Sequence, residues 1–168
     1  MKPIARRSVG TRLVANGTGV AGIKSITGLE EDRESMDVTT LDSEGGFREF
    51  ISGFYNQIDL SLEGFLLYDR TGFLGGQALM RQLLASGDMA AFEIVFPQNM
   101  AACRFTGFVA AFGTGFEVEG AIPFTSRITV SGRPEFVFAE GPGGTGGLSA
   151  AAAAALDGGG DLWGGDGQ

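Results

Sequence analysis

The stretch Gln57-Ile58-Asp59-Leu60-Ser61-Leu62-Glu63 alternates polar and apolar residues without a break. Successive side chains of a strand point to opposite faces, so this pattern fits a half-buried strand and not a helix. Ile58, Leu60 and Leu62 seek a core, while the other face must meet water or a partner. Further strand-like segments fall at 34–41, 57–65, 91–97 and 104–130. Only 74–86 reads as a helix, with Leu79, Met80, Leu83 and Leu84 at helical spacing and Gly87 where a left-handed cap would sit. The expectation is a mainly β chain whose one amphipathic helix covers a sheet.

At 168 residues the chain is long enough for one sizeable core, with room for appendages. Histidine is absent and Cys103 is the single cysteine, which excludes disulfide frameworks, zinc clusters and any imidazole-based triad within one chain. Cys103, in Ala101-Ala102-Cys103-Arg104-Phe105, reads as a small apolar filler. The net charge of -8 argues against wrapping nucleic acid, because such binding depends on neutralising phosphates with Lys and Arg. No stretch approaches the ~18 apolar residues of a membrane span, and no apolar core follows the basic start.

Charge is unevenly spread. Residues 1–28 hold five basic and no acidic side chains, whereas residues 29–70 hold eleven acidic and three basic ones. A basic arm ahead of an acidic body fits head-to-tail contact between copies, and fits a solvated arm and a solvated face at least as well. Asn16-Gly17-Thr18-Gly19 is a turn signal between two strand-like pieces, which predicts a first hairpin. The overlapping GxGxxG match is followed by the strand-like Ile23-Lys24-Ser25-Ile26-Thr27 and lacks the helix that a dinucleotide site needs. Phe47, Phe50, Ile51, Phe54 and Tyr55 crowd a glycine-bounded segment, so that segment either folds onto the body or docks on a partner. From 118 to 130 apolar and polar residues again alternate, and Pro123 within the run predicts an edge position or a bulge.

Past Glu140 the composition turns to glycine, alanine and aspartate with the lone Trp163, a tail expected to bury little and, as a hypothesis, to anchor on a neighbour through the indole. The carboxylate pairs Asp59/Glu63 and Glu117/Glu119 lack a flanking aromatic platform on the same face, and no Gly-Lys-Ser/Thr triplet occurs. No catalytic, metal-binding or cofactor-binding residues are assigned, and a non-enzymatic chain is expected.

Three ordered pieces, Asp37-Val38-Thr39-Thr40-Leu41-Asp42-Ser43, Phe47-Arg48-Glu49-Phe50-Ile51-Ser52-Gly53 and Ile58-Asp59-Leu60-Ser61-Leu62-Glu63-Gly64, resemble the major tail protein, or tail tube protein, of long-tailed bacteriophages. The resemblance continues through Leu83-Leu84-Ala85-Ser86-Gly87, Phe92-Glu93-Ile94-Val95-Phe96-Pro97 and Phe105-Thr106-Gly107-Phe108-Val109 to Thr129-Val130-Ser131-Gly132-Arg133-Pro134. It implies a small β sandwich or barrel with one flanking helix, six copies of which form a ring with a continuous inner β barrel. Rings would stack into a tube for DNA ejection, with DNA passing unbound. Together with the breaks in charge and composition, the expected organisation is a basic arm at 1–19, a tube domain at 20–140 and a Gly/Ala-rich tail at 141–168, the tail matching nothing in that family.

Carried over from the family's long loop, Asp42, Glu44, Phe47, Arg48, Glu49, Phe50, Ile51 and Tyr55 are expected at inter-subunit or inter-ring contacts. Gln57, Asp59, Ser61, Glu63, Glu117, Glu119 and Arg127 are the lumen-facing candidates. The implied partners are other copies, tape measure, tail terminator and baseplate or tail-tip proteins, and the implied location is the virion tail after assembly in the bacterial host cytoplasm. The alternatives are a tube protein of a contractile tail or type VI secretion-like system, and a monomeric β-sandwich ligand-binding module.

Overall fold

In the computed structural model, residue 5 and residues 7–139 are described, so the readings made for 140–168 lie outside the described residues. Strands β1 (Arg12–Ala15), β2 (Thr18–Val20), β3 (Ile23–Thr27), β6 (Asp59–Phe65), β9 (Ala90–Val95), β10 (Ala101–Thr114) and β11 (Pro123–Phe138) form a seven-stranded sheet in the order β2-β1-β9-β10-β11-β6-β3. Every pairing in it is antiparallel.

That order forces the sheet to curl. Its two outermost strands, β2 and β3, are joined by only Ala21 and Gly22. Laid flat, seven strands would put the edges about 29 Å apart, whereas the three steps from Val20 to Ile23 reach about 11 Å at most. The sheet therefore bends into a curled half-barrel with its apolar face inside. Rungs across neighbouring strands fill the inside: Leu60, Ile128 and Val109 lie in register, as do Leu13, Ile94 and Cys103. Phe92 stacks on Phe105 with ring centroids 5.5 Å apart. The one buried hydroxyl on this face among the described residues, Ser126, donates to the Ala111 carbonyl at 2.8 Å.

Helix α1 (Gly76–Ser86) inserts Met80 and Leu83 into the same core. Its C-terminus follows the sequence signal: Gly87 takes a left-handed conformation and its N–H donates to the Leu83 carbonyl. Its N-terminus begins two residues later than the 74–86 reading. Gly76 packs so closely that a Cβ there would lie 2.6 Å from the Gly19 carbonyl oxygen. Gln77, fully buried, fastens the helix to the seam of the sheet. Its Nε2 donates to the Ala21 and Phe65 carbonyls, each at 2.9 Å, and its Oε1 accepts from the Leu67 N–H at 2.8 Å.

The first hairpin forms at Asn16-Gly17 as the turn chemistry requires, and β1 lies between β2 and β9, so residues 12–19 of the expected arm belong to the sheet. Pro123 does not mark an edge: it is the first residue of β11, an interior strand between β10 and β6, where a missing N–H is tolerated. The true irregularity of β11 comes at Gly132, Arg133 and Pro134, where its register with β10 shifts and Gly132 has φ 80°. Two smaller antiparallel units stand apart from the main sheet. One is the ribbon of β4 (Arg33–Asp37) and β5 (Phe50–Tyr55), and the other the short pair β7 (Tyr68–Asp69) and β8 (Gly72–Phe73).

Candidate assembly and lumen surfaces

The β4–β5 ribbon is knit from root to tip. At the root, Asn56 pairs with Asp32 through its backbone N–H and its Nδ2, at 3.0 and 2.8 Å, and the Arg33 guanidinium lies 4.0 Å above the Tyr55 ring. At the far end Asp37 accepts from the N–H and hydroxyl of Thr39, which holds its carboxyl below the ordinary value, and Thr39 Oγ1 in turn accepts from the Glu49 N–H at 3.0 Å. Arg48 reaches Asp37 at 3.7 Å.

None of these bonds hides apolar surface. Met36 pairs with Ile51 and Asp37 with Phe50, and Phe47, Phe50, Ile51 and Tyr55 are all exposed, with Phe54 89% and Leu41 106% exposed. A two-stranded ribbon is marginal by itself in water, and contiguous exposed apolar surface marks an interaction site. Of the two sequence readings of this segment, folding onto the body would cover these side chains, and the body leaves them exposed. Residues 50–55 are strand, not part of a loop running from 42 to 55, and β4 ends at Asp37 instead of continuing to 41. Asp42, Arg48 and Glu49 sit exposed in the connecting loop, and Glu44 opens a short 3-10 turn there, Glu44–Gly46.

The second surface is the outer face of β3, β6 and β11. Register places Asp59 beside Thr129, Ser61 beside Arg127, and Glu63 beside Thr125, with Ser25 and Thr27 completing the face on β3. Asp59 accepts from Thr129 Oγ1 at 2.6 Å and from Gln57 Nε2 at 3.1 Å. These two bonds, the threonine's foremost, hold its carboxyl below the ordinary value. Asp59, Ser61, Glu63 and Arg127 therefore share one face, with Gln57 at its end.

Glu117 and Glu119 do not join them. The alternation from 118 onward predicts continuous strand, yet 115–122 is a loop between β10 and β11 in which Gly120 takes φ 108°. Val118, whose parity suggests burial, is 104% exposed there. Sequence reasoning also misses Glu93, which is 5% exposed on the outer face of β9 and is met by Arg104 Nε at 3.3 Å. Cys103 is fully buried, and burial raises its thiol to about 11. Among the described residues no three Cys, Asp or Glu side chains gather as a metal site.

Residues 11–137 match the family model described as the lambda phage tail tube protein. The chain belongs to that tail tube family. Its fold is shared with chains of assembled particles. A chain from the virion of a native gene transfer agent particle has a TM-score of 0.62 at 18% identity, covering 79% of this chain and 99% of that one. A chain of an empty gene transfer agent tail refined with C6 symmetry gives 0.63 at 19% identity, covering 79% and 99%. The SPP1 tail tube gives 0.56 at 14% identity, covering 81% and 80%. A search of curated proteins finds no significant match. Membership of the tail tube family makes the chain a structural component of a virion tail, a tube subunit.

Proposed function

We propose that six copies form a ring and that rings stack into the conduit for DNA ejection, with the β4–β5 ribbon as the arm that joins one copy to the next. The observation that carries this is the ribbon itself, hydrogen-bonded to itself yet exposing Phe47, Phe50, Ile51, Phe54 and Tyr55. Burial of that surface on another copy stabilises the assembly and also covers unpaired strand edges, which otherwise invite indiscriminate pairing. A similar fold in a tail of C6 symmetry supports the sixfold count. Changing Phe47, Phe50 and Ile51 together to Asp is expected to leave a folded monomer that forms no tubes by negative-stain microscopy. Normal tubes from that variant would remove the ribbon from the contact.

The face carrying Asp59, Ser61, Glu63 and Arg127 is the proposed lumen wall. Hydroxyls and carboxylates there keep water bound and repel phosphates, so DNA passes without adhering. Asp59→Lys with Glu63→Lys reverses that sign and is expected to leave tube formation intact while lowering infectivity. Unchanged infectivity would place these residues elsewhere. We further propose a non-contractile tail, with tape measure, terminator and tail-tip proteins as the other partners and assembly in the bacterial host cytoplasm.

A further inference from the structure

The curled sheet does not close on itself, and the seam holds a groove. A cavity of about 430 Å³ runs between the turn that precedes β1, residues 8–11, and the outermost strand β3. Its walls include Val9, Ile23 and Ile26, and its charge is Lys24. Val9 is 83% exposed, Ile23 and Ile26 are half-buried, and Arg7 and Arg12 flank the turn. The turn is a built wall. Thr11 donates from its N–H and Oγ1 to the Ser8 carbonyl at 3.1 and 2.7 Å, and Arg12 Nη2 donates to Asn99 Oδ1 at 2.6 Å. The groove thus sets Val9, Ile23 and Ile26 among Ser8, Thr11 and Ser25, carries one basic side chain in its lining and is bordered by a strand whose outer edge has no partner in the sheet.

The chain itself supplies a complementary segment. At the end of β11 the Ala139 N–H donates to the Met100 carbonyl, beside the Pro97–Asn99 turn that abuts Gly10 and Arg12. The described chain therefore ends at the same end of the sheet as the groove, three strand spacings from β1. Beyond it, residues 141–168 carry Asp157, Asp161 and Asp166 with no basic residue, and place Leu162 and Trp163 among those acids. Trp163 lies 24 positions past Ala139, a span of up to about 80 Å. Reach is no obstacle, and tethering gives the segment a high effective concentration at the groove.

We propose that the segment 156–168 seats Leu162 and Trp163 in the seam groove of its own chain, its aspartates facing Lys24, Arg7 and Arg12. Seated there it covers the free edge of β3, and a subunit not yet in a tube presents that edge to no other copy.

Trp163 is the only tryptophan, so fluorescence of the dilute, unassembled protein reads the segment directly. The expected emission lies at shorter wavelength than that of a free peptide of residues 140–168, is shielded from iodide, and is independent of protein concentration. Lys24→Glu and Val9→Asp, both at exposed positions and checked for folding by circular dichroism, are expected to move the emission to the free-peptide position. Adding Asp157→Lys, Asp161→Lys and Asp166→Lys to Lys24→Glu restores it. Free-peptide emission from the unmodified protein overturns the proposal, as does a shift insensitive to both groove variants. A shift that appears only as concentration rises also overturns it, since the seat would then be on another copy. The assay needs no tubes, so its failure is distinct from failure of the tube reading.

Discussion

The curled sheet and the β4–β5 ribbon are made of the same kinds of residue and put them to opposite use. In the sheet, Leu60, Ile128 and Val109 form a rung with 0%, 0% and 2% exposure. In the ribbon, Met36 and Ile51 form a rung that stands in solvent. The difference lies in the number of strands. Seven strands bent by a two-residue link enclose their apolar face, whereas two strands have nothing to bend around. The sheet therefore carries the stability of the single subunit, and the ribbon's apolar surface is left uncovered.

The largest expected effect separates the two directly. Ile128→Ala is expected to lose about 2–5 kcal/mol of unfolding free energy in denaturant, the range for removing a large core side chain. Phe54→Ala, measured on unassembled protein, is expected to change it by less than about 0.5 kcal/mol while reducing the yield of tubes. Comparable losses for the two would mean that the ribbon is packed on the body, and the contrast would fail. Next in size is Gln77→Ala, which strips partners from the Ala21 and Phe65 carbonyls and the Leu67 N–H at the seam. A loss of about 1–3 kcal/mol is expected for leaving buried polar groups unpaired, and a change within error would show that water takes the place of the amide.

Much of the sheet was legible because the alternation at 57–63 has a single solution once one face is buried. The Asn16-Gly17 hairpin and the Gly87 cap were legible for a similar reason, each resting on a local conformation that few residues adopt. The ribbon was half legible: its excess of aromatics showed, but whether they fold inward depends on tertiary placement. Glu117 and Glu119 were misplaced because period-2 alternation persists into a loop whose glycines break the strand. Gln77 was invisible, since its role comes from two carbonyls and an N–H that only the curled sheet brings together. The pair of buried Glu93 and half-buried Arg104 left no signal either, as its partners meet only by register across β9 and β10.

The smallest effect bears on whether the two regions unfold as one. Each carries an aspartate held below its ordinary pKa of 3.8 by a threonine hydroxyl, Asp59 by Thr129 on the sheet and Asp37 by Thr39 on the ribbon. A carboxyl depressed in the folded state contributes stability that is complete above the unfolded value of about 3.9 and is lost as pH falls through the folded one. Thr129→Val removes the foremost cause for Asp59, so its carboxyl titration, followed by NMR, is expected to move upward. The variant should melt below the parent at pH 7, and the gap should close as pH falls below about 4. Thr39→Val is expected to raise the Asp37 titration in the same direction yet leave the melting of the sheet unchanged at every pH, because the ribbon's local bonds do not hold the core. If Thr39→Val reproduces the pH-dependent gap of Thr129→Val, ribbon and sheet unfold together and the ribbon is no independent arm.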